Sequence, residues 1–227
     1  MTAPADFARD GALYVPDVLS PDGLAALRDL ADQTVSARPG ARLRGVAILG
    51  EILSTTGPIG ALAARLTSPE ARPIRAVMFD KTPEANWAVA WHQDRTLPVA
   101  ERVEVEGFGP WSIKDGALHV APPFEILARM ITLRVHLDPV DAANAPLRAA
   151  LGSHRLGRVT AEDAAARAAE HPVIDCLAEP GDVWAYATPI LHASDRAEPP
   201  RRRRVLQVDY ADFDLPGGLA WAGLSAA

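Results

Sequence analysis

Ile131-Thr132-Leu133-Arg134-Val135-His136-Leu137 reads as a β-strand with two unlike faces. Ile131, Leu133, Val135 and Leu137 alternate with Thr132, Arg134 and His136, and successive side chains on a strand point to opposite sides. One face is therefore aliphatic and the other strongly polar. The stretch 203–210 repeats the pattern, with Leu206, Val208 and Tyr210 on one face and Arg203, Gln207 and Asp209 on the other. Two architectures give this alternation. In a half-exposed sheet the polar face meets water. In a sandwich with helices on its outer face, the polar face lines an interior pocket. The pattern alone leaves both open.

Working outward, short β-like runs separated by turn residues begin at 74–79 and 87–92 and continue at 130–137, 146–151, 173–177, 183–187 and 204–210. A helix interrupts them at 161–169, where Thr160 and Asp163 have capping-box spacing. The absence of regular βαβ alternation favours a sandwich or barrel over a parallel sheet. The N-terminal part, 1–70, is largely helical. Ser20 is placed to cap a helix opening with Pro21 and Asp22, with an apolar stripe of Leu24, Leu27, Leu30 and Ala31 and a stop at Pro39-Gly40. A second helix is expected over 58–66. No internal repeat or low-complexity linker divides the 227 residues, so a single domain is expected.

The bulk numbers remove several functions. A formal net charge of −6 disfavours a general nucleic-acid binder. One cysteine, Cys176, permits no internal disulfide and reads as a small buried apolar residue. No apolar run approaches a membrane span, and residues 1–10 lack a charged-then-apolar signal, so a cytoplasmic protein is expected.

The chemistry lies in Trp91-His92-Gln93-Asp94 and Leu191-His192-Ala193-Ser194. Residues two apart on a strand point the same way, so His92 and Asp94 can meet one ion. Two imidazoles and one carboxylate on one face make the set that holds non-haem iron(II) while leaving positions open, and His192 is the best candidate for the second imidazole. An oxygenase that uses 2-oxoglutarate also needs a cation for the distal carboxylate, ideally a planar guanidinium. Arg203 follows His192 on the next strand, and Ser194 offers a hydroxyl. Arg201 and Arg202 read as a solvated basic turn.

With these residues in place, the chain resembles the phytanoyl-CoA dioxygenase family in its short bacterial form. The resemblance runs in order through 10–16, Phe79-Asp80-Lys81, Asn86-Trp87, Trp91-His92-Gln93-Asp94, Asn144-Ala145-Pro146-Leu147, Gly152-Ser153-His154-Arg155, His192-Ala193-Ser194 and Arg203-Arg204-Val205-Leu206. It implies a mainly β fold with flanking helices, in which 71–215 form a double-stranded β-helix (jelly-roll, cupin-like) core. It further implies iron(II) on His92, Asp94 and His192, and 2-oxoglutarate held by Arg203 and Ser194. A further co-substrate contact on the central strand falls on Arg134, with Thr132 beside it. Two departures touch the backbone: the family's Asn-Gly is Asn144-Ala145 here, and its Pro-Gly-Ser-His is Leu151-Gly152-Ser153-His154. Related halogenases replace the carboxylate ligand with a small residue. Asp94 is intact, so the expectation is hydroxylation or another oxidation of a small molecule by O2.

Other residues take plainer expectations. His154 belongs to a turn, His171 to the surface, and His136 either to the pocket or to the core. Trp87 and Trp91 alternate away from His92 and read as packing residues. The stretch 97–123, with Phe108, Trp111, Lys114 and His119, reads as a long loop over the mouth that shapes specificity. Two other readings remain: a jelly-roll protein that binds a metal or metabolite without turnover, and a zinc hydrolase using the same three ligands. The second leaves Arg203 and Ser194 without a purpose.

Overall fold

A computed structural model describes residues 4–35 and 39–224, so 1–3 of the N-terminal stretch lie outside it. The chain begins with α1 (Pro4–Asp10), β1 (Ala12–Val15), α2 (Pro21–Val35), β2 (Gly40–Arg42), α3 (Ala47–Leu53) and α4 (Pro58–Leu66). Then come β3 (Arg72–Lys81), β4 (Val89–His92), β5 (Leu97–Pro98), β6 (Trp111–Lys114), β7 (Ala117–Val120) and α5 (Phe124–Leu127). The remainder is β8 (Ile131–His136), β9 (Leu147–Ala150), α6 (Ala164–Ala169), β10 (Val173–Asp175), β11 (Val183–Ala187), β12 (His192–Ser194) and β13 (Arg203–Ala211). Among the described residues no single helix is long and apolar enough to cross a membrane.

The strands form an antiparallel six-stranded sheet in the order β1-β11-β8-β13-β3-β2 and a four-stranded sheet, β10-β9-β12-β4. A small third sheet has the order β5-β7-β6. The aliphatic faces of β8 and β13 settle the choice between the two architectures. Leu133, Val135, Leu137, Leu206, Val208 and Tyr210 share one buried cluster with Leu27, Leu30, Leu53, Ile59 and Leu62 of the helices. Each such side chain removed from water contributes roughly 1.5–3 kcal/mol. The opposite face turns inward, towards the four-stranded sheet, so the polar residues of β8 and β13 are interior. This is the jelly-roll core with flanking helices.

The two expected N-terminal helices are present. Ser20 Oγ accepts the Gly23 N–H at 3.2 Å, capping α2, and α4 opens with Pro58 at its first position. The N-terminal part also supplies β1 and β2, one at each edge of the large sheet. The helix expected at 161–169 starts later, at Ala164. Thr160 Oγ1 accepts the Asp163 N–H at 3.1 Å, but residues 161–163 form turns before the helix begins. The expected loop at 97–123 is corrected: it folds into the third sheet around a turn at Asp115-Gly116, both with positive φ. Its apolar residues Leu97, Val99, Phe108 and Val120 form a satellite core with Phe213 and Leu215.

One irregularity controls the site. Across the β4–β12 ladder His192 pairs with His92, but Ser194 pairs with Val89. Three steps on β4 thus oppose two on β12, the signature of a β-bulge, which resets side-chain alternation.

Candidate metal centre and cavity

A cavity of about 460 Å³ lies between the two large sheets. That volume falls within the range of small-molecule sites. Its wall takes Arg75, Val77, Phe79 and Lys81 from alternate positions of β3, and Arg203, Val205 and Gln207 from β13. Arg134 enters from β8, and Leu147, His192 and Ser194 come from the four-stranded sheet. Because of the bulge, Val89 and His92 both face this space, and Trp87 joins them. Trp87 is therefore a wall residue, which corrects the reading from strict alternation. Trp91 does pack on the other side, against the cluster of Ala164, Ala168 and Leu191.

His92, Asp94 and His192 offer ligand atoms that all lie within 4.8 Å of one another. Each imidazole directs Nδ1 to the carbonyl two residues earlier, His92 to Ala90 at 2.8 Å and His192 to Ile190 at 2.9 Å. A neutral ring that donates from Nδ1 keeps its lone pair on Nε2, the form in which imidazole binds a metal. Burial, above all, pushes His192 down to about 4, with His92 adding to it, so this ring is neutral at pH 7. Burial, the largest single cause, opposes charge on Asp94, but Arg75, the two imidazoles and Lys114 together outweigh it. Its carboxyl lies below the usual range. Two imidazole nitrogens and one carboxylate oxygen, gathered within reach of one ion, fit iron(II) by donor type and number.

The set is braced from behind. Arg75 reaches Asp94 Oδ2 at 3.3 Å and pairs with Asp209 at 2.5 Å. Gln207 Nε2 donates to the same Asp94 oxygen at 3.3 Å, leaving Oδ1 unengaged by either. Gln93 points away from the cavity and fixes its own loop. Its amide donates to the Gly157 and Pro189 carbonyls at 3.0 and 2.9 Å and accepts the Val159 N–H at 2.9 Å. Ser153 Oγ accepts the N–H of Leu191 at 2.9 Å, one residue before His192. His154 of the same turn lies where a Cβ on Gly11 would come within 2.2 Å of its ring, so the two glycine motifs close on each other. Arg75 and Gln93 were not singled out in the sequence. Gln93 carried the one available signal, being the middle residue of His-x-Asp.

The four consecutive arginines divide sharply. Arg201 pairs with Asp141. Arg202 is exposed, as a solvated basic turn implies, and it also holds buried Asp80 at 2.8 Å and Asp32 at 2.6 Å. Arg204 grips Asp138 through Nε and Nη2 at 2.9 and 2.8 Å. Arg203 alone turns into the cavity, where its hydrogen bonds go to the Asn144 and Ala145 carbonyls. It is 6% exposed, and burial with Arg134 nearby pushes its pKa down to about 10. Ala145 occupies the left-handed region at φ 47°, where a Cβ is unfavourable, so the departure from Asn-Gly keeps the turn at a local cost.

Ser194 and Arg134 line the same wall, and Arg134 Nη1 donates to Gln207 Oε1 at 2.7 Å. Thr132 does not line it. Its hydroxyl donates to Asp209 at 3.0 Å and meets Thr188 at 3.1 Å, which makes it a support for the Arg75 pair. His136 is core: it is 1% exposed, and burial followed by Arg134 and Arg203 pushes it down to about 3. His119 is fully buried. His171 is partly buried, its Nδ1 at 2.9 Å from the Leu151 carbonyl.

A sequence model of the phytanoyl-CoA dioxygenase family (PhyH) matches residues 7–205. No curated protein matches the chain. Among solved structures, the epimerase SnoN in complex with Fe3+, alpha ketoglutarate and nogalamycin RO is 18% identical, with a TM-score of 0.66. The match covers 95% of this chain and 89% of that one. EctD from S. alaskensis with 2-oxoglutarate and 5-hydroxyectoine is 19% identical at a TM-score of 0.61, covering 92% and 74%. AviO1 from Streptomyces viridochromogenes Tue57 is 23% identical at 0.63, covering 95% and 96%. At these identities the likeness is one of fold.

Proposed function

The chain belongs to the phytanoyl-CoA dioxygenase family, and from that premise we propose that it is an iron(II)- and 2-oxoglutarate-dependent oxygenase that oxidises a small molecule with O2, hydroxylating it and releasing succinate and CO2. One observation carries the reading. Of four consecutive arginines, only Arg203 lacks a carboxylate partner, and it faces the cavity that His92, Asp94 and His192 share.

His92 and His192, with Nδ1 turned to backbone carbonyls, and Asp94, with one oxygen held by Arg75 and Gln207, would hold iron(II). Iron(II) bound there supplies the redox chemistry, in which 2-oxoglutarate and the substrate each give two electrons to dioxygen. Arg203 takes the far carboxylate of the co-substrate with its planar fork. Ser194 adds a hydroxyl, and Lys81 a cation whose Nζ donates to the Asp195 carbonyl at 2.5 Å. Arg134 keeps this end of the wall positive. Trp87, Phe79 and Val205 cover the site with apolar surface, which excludes water and strengthens each charge contact. The Asp94 side chain fills the place a halide would need, so oxidation rather than halogenation is the expected outcome.

The apoprotein, loaded anaerobically with iron(II) and titrated with 2-oxoglutarate, should develop a weak visible metal-to-ligand charge-transfer band. His92→Ala should abolish it. Arg203→Ala should require about 100-fold more keto acid, the scale of a lost buried charge-assisted contact. A folded, iron-loaded parent that shows no band would sink the reading in favour of a non-catalytic binding protein.

A further inference from the structure

We infer that the end of the cavity bounded by Arg42 and Lys114 binds an anionic group of the prime substrate, a carboxylate or a phosphate. This rests on the proposed function, because it takes the Arg203 end as the co-substrate's. The first ground is charge. Besides Arg75, which is spent on Asp94 and Asp209, the cavity is lined by Arg42, Lys81, Lys114, Arg134 and Arg203, against Asp94 and Asp115 among the acids of the described residues. This excess stands in a chain whose formal net charge is −6. Ferrous ion and the 2-oxoglutarate dianion cancel each other, so bound cofactors leave the excess in place.

The second ground is that Arg42 is unspent. Its guanidinium makes no hydrogen bond or ion pair among the described residues, and its Nε is buried without a partner. A buried donor without an acceptor is costly, and an arriving oxyanion removes that cost. Lys114 uses one ammonium proton on Thr96 Oγ1 at 2.7 Å and has two more to offer. Burial, first among the causes, pulls both cations below their ordinary pKa values, with Arg75 as the next contributor.

The third ground is position. Arg42 pairs with Val77 across β2 and β3, whereas Arg203 pairs with Lys81 across β13 and β3. Four strand residues separate the two rows by about 13 Å. The four C–C bonds of 2-oxoglutarate have a contour of at most about 6 Å. The charged surroundings differ accordingly: Arg42 feels Arg75 and Asp115, while Arg203 feels Arg134. The Asp115 carboxylate accepts the backbone N–H of Arg42 at 3.2 Å, which ties the β6–β7 turn to β2 and brings Lys114 to the same rim. Two cations from two sheets thus meet on the same wall, four strand residues along β3 from the Arg203 row.

The test uses matched probes on protein loaded anaerobically with iron(II) and 2-oxoglutarate. Benzoate, phenyl phosphate and benzamide are titrated by low-affinity calorimetry. At least one of the two anions should bind about tenfold more tightly than the neutral amide, the scale of a charge-assisted hydrogen bond at a half-buried site. The tighter anion names the group. In the Arg42→Gln/Lys114→Gln double variant that advantage should vanish, while the 2-oxoglutarate titration of the charge-transfer band stays as in the parent. Arg42→Gln alone serves if the double variant does not fold, with a partial loss expected. Equal affinity for anions and amide in the parent, or an advantage that survives the substitutions, overturns the inference. If no charge-transfer band forms at all, the cofactor reading fails separately. The same probe comparison on metal-free protein then decides the anion site by the same criteria.

Discussion

The two ends of β13 solve opposite problems with the same residue type. At the Asp209 end, Arg75 is closed in by Asp209 and Asp94, with Thr132 and Gln207 completing the hydrogen bonds. At the Arg203 end, three cations, Arg203, Arg134 and Lys81, line one stretch of wall with no acid lining it. The first region is finished by the protein alone. Under the proposed function, the second gains its counter-charge from the co-substrate. Buried charge in a fold is therefore informative by its partner: paired, it reports scaffold, and unpaired in a cavity, it reports binding.

Breaking the closed end should have the largest effect. Arg75→Ala leaves two buried carboxylates without their shared cation and should cost about 3–5 kcal/mol of stability. Urea melts of the apoprotein measure it. A loss under about 1 kcal/mol would show that the closed end is not the scaffold claimed here.

Acidification separates the ends next. His136 lies at the cationic end, buried with its folded pKa pushed down to about 3 from an ordinary 6.5. The unfolded chain takes up this proton first. Its contribution is complete above pH 6.5 and is lost as pH falls from there towards 3, by up to roughly 1.4 kcal/mol per pH unit. His136→Leu should flatten the acid limb of apoprotein stability measured between pH 7 and 4, and an unchanged slope would contradict the assignment.

At the open end, Arg203→Ala should change stability by less than about 1.5 kcal/mol, because it also removes like-charge repulsion with Arg134. This inverts the Arg75 result, since its large effect is on co-substrate affinity. Ser194→Ala is the finest probe. Losing one hydroxyl contact of about 0.5–1.5 kcal/mol should weaken 2-oxoglutarate roughly threefold to tenfold, with thermal stability unmoved.

The alternation in 131–137 and 203–210 was enough to specify two strands, each with one aliphatic and one polar face, but not which face lay inside. Packing then decided which side met the helices. His92 and Asp94 were legible as neighbours on one face because of their two-residue spacing, whereas His192 was a candidate that only the fold brings within reach of them. Thr132 shows where that logic stops: sharing a face with Arg134 did not place it on the cavity, since Asp209 took its hydroxyl. Trp87 was misread because a bulge is invisible in a period-two pattern. The third sheet was hidden because its strands span only two to four residues. Its Asp115-Gly116 turn was the available signal for a hairpin. Arg75 sits in an ordinary strand, and its partners are distant in sequence.

The bulge between Val89 and His92 also sets how this enzyme can be re-engineered. Its extra residue works like a frameshift in the strand, putting Trp87 and Val89 in register with His92 and Asp94. Substitutions at 90 and 91 keep that register, so their effects stay local. Deleting one residue there leaves two steps on β4 against two on β12, which removes the bulge and its local bend while Val89 and His92 still share a face. A library built on this chain should vary β4 by replacement and keep its length fixed.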